Sequence, residues 1–373
     1  MIQTKRVVLS LALCGFFATA ILSCSSNDDD GSGEEQQTAS VEAGRQKQVD
    51  AFYDSQISMQ QEQHVALTAE LHVRAQAFQN APTQQNLTAL KAAWKSAFLQ
   101  WKEMEFYKIG IIESSFIHTR IHQWPVNTAF IEDKIATDLA IDNTYINGLG
   151  ASSKGYGAVE YLLYNGDDAA VLEDFTLSEN NSKRMDYLVA LAENLNVQAI
   201  ALQDLWTTYE TTFKSRLETG VNGSQNNLVN VIIAGLETIK LKKIGQSDVS
   251  ITDASELEAF YSMTSKEAVA ANLEALYESY TGDFTAEGYG MEEFVVEVLN
   301  NDSLNSNIIT AFENTIAAFN AIDGDLETAV VNNAASLVKF REELTSLIVY
   351  FKTDLASAAN VVVTFSDNDG DSG

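Results

Sequence analysis

Leu188-Val-Ala-Leu-Ala-Glu-Asn-Leu-Asn-Val-Gln-Ala-Ile-Ala-Leu-Gln-Asp-Leu-Trp-Thr-Thr-Tyr209 decides the fold. Leu188, Leu191, Leu195, Leu202, Leu205 and Tyr209 recur at three- and four-residue steps, broken only at Gln198, so on a helix they form one continuous apolar stripe. A stripe this wide has to bury against other helices. Two further stripes follow the same rule: Leu87, Leu90, Trp94, Ala97 and Trp101, and then Val330, Leu337, Phe340, Leu344, Ile348, Phe351 and Leu355. Only Pro82 and Pro125 interrupt the 373 residues, and proline is the residue that breaks a helix most reliably because it lacks a backbone donor. The pattern predicts an all-α chain of antiparallel, four-helix-bundle-like domains. Ser255-Glu-Leu-Glu258 and Thr264-Ser-Lys-Glu267 carry capping-box spacing and predict helix starts. Strand-like sequence is confined to Val361 through Phe365.

Glycine divides this helical body. Gly148 to Gly157 is rich in glycine and serine, and Gly220-Val-Asn-Gly-Ser224 separates a long helix from the next. The second break sets the expected boundary, with one bundle over 41–220 and another over 221–373. Lys108-Ile-Gly110 and Lys243-Ile-Gly245 each close a helix and precede a glutamate expected on a helix, Glu160 and Glu258. An internal duplication and a chance recurrence of common helix-ending residues both account for this echo.

The N-terminus predicts where the chain works. Lys5 and Arg6 precede an apolar run from Val7 to Leu22, the layout of an export signal rather than of a membrane span. Ile21-Leu-Ser-Cys24 looks like a lipobox, so residues 1–23 are read as a signal peptide and Cys24 as the acylated residue that ties the protein to a bilayer. Residues 24–40 are read as a flexible acidic tether, because Asn27 to Glu35 has no large apolar side chain. Acidic residues just after the cysteine resemble signals that send lipoproteins to the outer membrane, facing the periplasm or the cell surface. Cleavage removes Cys14 and leaves Cys24 as the remaining cysteine, so no disulfide staples the fold. With 52 acidic against 23 basic residues the formal charge is -29. That charge repels phosphate backbones, which sets nucleic acid aside as a partner, and enriches cations nearby.

Gly155-Tyr-Gly-Ala-Val-Glu160 resembles the G-x-H-x-x-E signature of the imelysin-like family, with Gly157 standing where the family's histidine would be. Trp94, Trp101 and Gly110 resemble its tryptophan-rich first helix, and Arg120-Ile-His-Gln-Trp-Pro125 resembles its R-I-x-x-W-P segment. Asn227 to Asn230 through Gly245, Glu258-Ala-Phe-Tyr-Ser262 and Phe365 to Asp371 are similar to later landmarks, so the likeness covers most of residues 41 to 371. It implies two packed helical bundles, an envelope location, a role in iron or haem acquisition, and a ligand site where the bundles meet. It also implies iron or haem as the ligand, an envelope iron or haem transporter as a partner, and a peptidase name.

The residue chemistry narrows that list. Zinc hydrolysis needs several ligands around an open position and a general base. Gly157 offers no ligand, no H-E-x-x-H occurs, and the histidines are His64, His72, His118 and His122. His118 and His122 would share a face if their segment stayed helical, a possible metal pair, although Pro125 disfavours helix at Trp124. No G-x-S-x-G elbow is present. Asp367 to Asp371 has calcium-loop composition in too short a segment. Glu160, followed by Tyr161, Leu162, Leu163 and Tyr164, is a carboxylate in an apolar wall, which must find a partner or protonate. It is expected either to touch ligand or to pair with Arg120 or Arg184. Family position adds Gly155, Tyr156, Gly157, Trp124, Arg120, Glu258 and Ser262 to the candidate ligand-binding set. The expectation is a binding protein, with a metallopeptidase-like enzyme and a scaffold for another envelope protein as alternatives.

Overall fold

The computed structural model describes residues 32–244, 254–284, 288–332 and 334–364, with side chains from residue 40 onward. The signal segment, Cys24, Gly245 and the acidic 367–371 segment lie outside the described residues. Helix α1 (Ser32–Ala51) starts inside the stretch expected to be tether. Residues Met1–Ala39 form a unit of their own, and Ser40–Gly373 form the body.

In the body, α1 passes through a widened turn at Phe52–Ile57 into α2 (Ser58–Asn80). Past Pro82, α3 (Gln84–Lys102) begins at Thr83, whose hydroxyl accepts from the Asn86 N–H at 3.3 Å and satisfies one orphan donor of the first turn. Short α4 (Ile117–Ile121), α5 (Gly155–Tyr164) and the long α6 (Asn181–Ser215) follow, with shorter helices such as Thr128–Ile135 and Asp168–Thr176 between them. The second half is carried by α7 (Ser224–Thr238), α8 (Ser265–Thr281), α9 (Asp302–Asn320) and α10 (Ala335–Val349). No strand occurs among the described residues, residues 361–364 included. No helix among them is long and apolar enough to cross a membrane.

Two hydrophobic clusters hold the body together. Leu71 and Phe78 of α2, Trp94 and Trp101 of α3, Val159 of α5 and Leu188 and Leu195 of α6 meet in the first. Ile232 and Leu236 of α7, Leu276 of α8, Phe312 of α9 and Leu344 of α10 meet in the second. Helix α7 serves both, because Leu228 and Val231 face the first cluster while Val229 and Ile232 face the second. Each fully buried leucine or phenylalanine contributes about 1.5–3 kcal/mol, so the paired cores are the main source of stability.

The predicted stripes are buried where the period places them. Leu188, Leu191, Leu195 and Leu202 are all interior, and the gap at Gln198 is filled by a buried amide that donates to Asn147 Oδ1 at 3.3 Å. The C-terminal stripe is buried too, but Val330 sits on a separate short helix, Leu326–Val331, ahead of α10. The two capping boxes do not form. Thr264 precedes α8 with a near-zero ψ, so its hydroxyl turns back to donate to the Ser262 carbonyl at 3.3 Å instead of meeting the first turn. Around Ser255 only one helical turn, Ala254–Glu256, forms. Glu258 lies beyond it in a turn rather than on a helix, and its carboxylate enters buried ion pairs.

Candidate functional site

Helix α5 is seated by its glycines. Gly155 has φ +75°, and a Cβ there would collide with the Ile121 carbonyl at the end of α4. A Cβ at Gly157 would lie 2.7 Å from Val126 Cγ1 and 3.1 Å from the Gln123 carbonyl, with His122 Cε1 at 3.9 Å. The helix therefore packs its glycine face directly onto the 122–126 segment. Between them Tyr156 is buried, with its hydroxyl 2.9 Å from His64 Nε2 and its carbonyl accepting from Trp94 Nε1 at 3.1 Å.

Glu160, one turn further on, holds the 257–263 turn. Its Oε1 accepts from the Ser262 N–H and from the Ser262 hydroxyl, both at 2.8 Å. Burial pushes its pKa up to about 7, against the two Ser262 bonds, which favour the charged form. Neither expected arginine is its partner: Arg184 pairs with Glu132 at 2.5 Å, and Arg120 is exposed.

The same turn carries Glu258 into a closed ionic square. Lys102, the last residue of α3, donates to Glu105 Oε2 at 2.5 Å and to Glu258 Oε1. Lys243, just beyond α7, donates to Glu105 Oε1 and Glu258 Oε2, each at 2.6 Å. All four side chains are buried. Burial alone would raise both carboxyl pKa values, but Lys102 and Lys243 outweigh it and hold Glu105 and Glu258 well below the usual range. Burial lowers the Lys102 pKa, whereas at Lys243 the two carboxylates overcome burial and raise it. The square is thus two ammonium and two carboxylate groups with no net charge. Asn272 of α8 closes it by donating to Glu105 Oε1 at 3.0 Å and to the Lys102 carbonyl at 2.6 Å. Cations without hydrogen-bonded counterions could not stay in this interior, so the square fixes α3, α7, α8 and the 257–263 turn relative to one another.

His122 joins the square from its rim. Helix α4 ends at Ile121, and His122 is extended, with φ -152° and ψ 134°, so it does not share a helical face with His118. Its Nε2 lies 2.7 Å from Glu258 Oε1, and its ring stacks on Trp124 at 5.9 Å and 15°. Burial lowers its pKa, with Lys102 adding to the shift and Glu258 opposing it. His118 packs against Trp101 at 5.3 Å and is pushed down to about 3 by burial. Both imidazoles are therefore neutral at ordinary pH.

Above the square opens a cavity of about 510 Å³. Trp101, Trp124 and Phe106 supply its flat walls, His118 and His122 its floor, and Lys108, Lys242 and Lys243 its positive side. The Lys243 ammonium sits 5.4 Å from the Trp124 ring centre and 5.6 Å from that of Phe106. The Trp101 indole N–H and His122 Nδ1 have no hydrogen-bond partner among the described residues. Volume, flat apolar walls and a few converging polar groups are the attributes of a small-molecule site.

Of the sequence-derived candidates, the structure gathers Trp124, His118 and His122 at this cavity, with Glu258 beneath it, and joins Glu160 to Ser262 behind. Gly155, Tyr156 and Gly157 support the packing of α5, and Arg120 lies outside the cavity lining. Among the described residues, no group of three His, Cys, Asp or Glu side chains is arranged to hold a metal. Sequence reasoning missed Lys102, Glu105, Lys242 and the role of Lys108 and Lys243. The signal was present: Lys108 and Lys243 head the two Lys-Ile-Gly triplets, and both line the cavity.

The helical architecture and this site define a class that comparison makes specific. The Imelysin family model matches residues 60–348, and the chain belongs to that family. "Iron-regulated protein A" of Synechococcus elongatus is 24% identical over 224 residues, a match covering 57% of this chain and 58% of that protein. Among solved structures, a putative iron-regulated protein A precursor from Parabacteroides distasonis superposes with a TM-score of 0.68 at 17% identity, covering 85% of this chain and 94% of that one. An imelysin-like protein from Psychrobacter arcticus gives 0.66 at 18% identity, covering 90% and 99%. At these identities the structural likeness concerns the fold.

Proposed function

We propose that this chain is a lipid-anchored binding protein of the cell envelope that serves iron or haem acquisition. One observation carries the choice of binding over hydrolysis. Glu105, which lines the cavity, and Glu258, which His122 contacts beneath it, are each held by both Lys102 and Lys243, and neither is left to activate water or to complete a metal shell. A peptidase needs such a free base; a binding site needs a rigid floor, which the square supplies. The iron assignment draws on the names of the relatives, two of which are called iron-regulated protein A. The envelope assignment draws on Lys5, Arg6, the apolar run to Leu22 and Cys24. Acylated Cys24 would hold the protein on the outer membrane, and the partner that fits is an envelope transporter that receives the ligand.

Uptake of radioactive iron by iron-starved cells of the source organism tests this reading. Cells lacking the chain should take up less iron from its chelates or from haem. Wild-type protein should restore uptake, and Cys24→Ser should leave the protein off the membrane and restore less. Unchanged uptake in the deletion strain, together with chelator-sensitive peptide hydrolysis by the purified protein, would replace the binding reading with the enzymatic one.

A further inference from the structure

The cavity is cationic in a chain that is strongly anionic. Across the sequence acidic residues outnumber basic ones 52 to 23, yet among the described residues the cavity lining holds Lys108, Lys242 and Lys243 against Glu105. Glu105 is already shared between Lys102 and Lys243. Lys108 and Lys242 are exposed at the rim, and among the described residues neither forms an ion pair. Desolvation lowers the Lys108 pKa; Glu105 opposes that shift, Lys243 and Lys242 add to it, and Glu113 opposes it. Two exposed ammonium groups at one rim, with no ion-pair partner among the described residues, attract an anion to the cavity.

The rest of the lining completes the recognition. The two lysines can only donate, and Trp101, whose buried indole N–H has no partner among the described residues, borders the same cavity. The Trp124 face, backed by His122 at 5.9 Å, is a platform for a flat ligand. The neutral square below excludes a second counterion. We infer that this cavity takes a small polycarboxylate with a flat or compact body, its carboxylates on Lys108 and Lys242 and its body against Trp124 and Trp101. This inference deepens the proposed function, on which it rests for the identity of any metal carried: the ligand enters as an anion, as a free polycarboxylate, its iron(III) chelate or haem through its propionates, and not as a bare cation.

Isothermal titration and quenching of tryptophan fluorescence on the full chain test it, with citrate, iron(III) citrate, haem, inorganic phosphate and iron(II) as separate probes. At least one carboxylate probe should bind saturably, more weakly as salt rises, and better than phosphate. The double variant Lys108→Glu and Lys242→Glu should weaken that binding by about tenfold or more, because two attractive charges become repulsive. The double glutamine variant should fall in between, and Lys339→Glu, an exposed lysine of α10 outside the lining, should change nothing. Both rim lysines are exposed, so the variants should keep the wild-type circular dichroism. Binding of iron(II) without any anionic probe would leave the iron assignment standing and overturn the anionic one. Citrate binding without iron(III) citrate or haem would support the anionic site and count against iron. Carboxylate binding that is unchanged in the folded double glutamate variant would place the site elsewhere and refute the inference.

Discussion

Glu160 on α5 grips Ser262 twice, through its backbone N–H and its hydroxyl, both 2.8 Å from the same carboxylate oxygen. Ser262 lies four residues after Glu258, so one buried carboxylate anchors the turn that delivers the other to the ionic square. The floor of the cavity is positioned from a helix that does not line it.

That contact makes stability pH-dependent in a defined window. Burial raises Glu160 from its ordinary 4.5 to about 7, so between those values the folded state holds a proton that the unfolded state has released. Stability contributed by the protonated group is fully present below about pH 4.5 and falls as pH rises through about 7, by roughly 3 kcal/mol at most. Glu160→Gln keeps an acceptor for Ser262 without the charge. Urea unfolding of both proteins across pH 4.5 to 8 should show the wild type losing stability relative to the variant as pH rises. Parallel curves would mean that the carboxyl is already ionised throughout.

Breaking the square should cost more than breaking a surface pair. Lys243→Met leaves Glu105 and Glu258 sharing one ammonium in a buried site, and should destabilise the fold by about 3–5 kcal/mol in chemical denaturation. Adding Glu258→Gln to that variant should recover part of the loss, since it removes the stranded charge. Additive losses would show that the two residues do not interact as the distances indicate.

The glycine in the signature position is a packing residue here. Gly157→Ala should cost about 1–3 kcal/mol, because the new Cβ meets Val126 Cγ1 at 2.7 Å and the Gln123 carbonyl at 3.1 Å. Gly157→His, which the family pattern suggests would restore a metal ligand, should lose stability and gain no zinc affinity, because its side chain starts against the 122–126 segment. A stable Gly157→His protein with tighter zinc binding by calorimetry would show that the segment yields and that His122, 3.9 Å from the new Cβ, completes a site.

Much of the fold was legible because helix burial is periodic. The stripes through Trp94, Leu195 and Leu344 identify buried faces without any knowledge of what covers them. Pairing is another matter: that α7 serves both cores depends on alternate faces of one apolar run, Leu228 to Leu236, which reads as a single buried helix either way. At the site, Glu160, Ser262, Trp124 and Glu258 were found through resemblance, but their contacts were not. Opposite charge alone points to Arg120 or Arg184 as the partner of Glu160, whereas its partners are the backbone N–H and hydroxyl of Ser262. The buried ion pairing of Lys102 and Lys243 was not legible because a lysine beside an apolar stripe ordinarily reaches solvent, and only a three-dimensional match with two carboxylates keeps it buried.

Native mass spectrometry of the protein purified from its own envelope tests ligand binding most directly. The account predicts a second species heavier than the chain by one small anionic molecule, with or without iron, lost from the Lys108→Glu and Lys242→Glu double variant. Protein that carries no added mass from iron-starved and iron-replete cells alike, while cleaving peptides in a chelator-sensitive reaction, would contradict it.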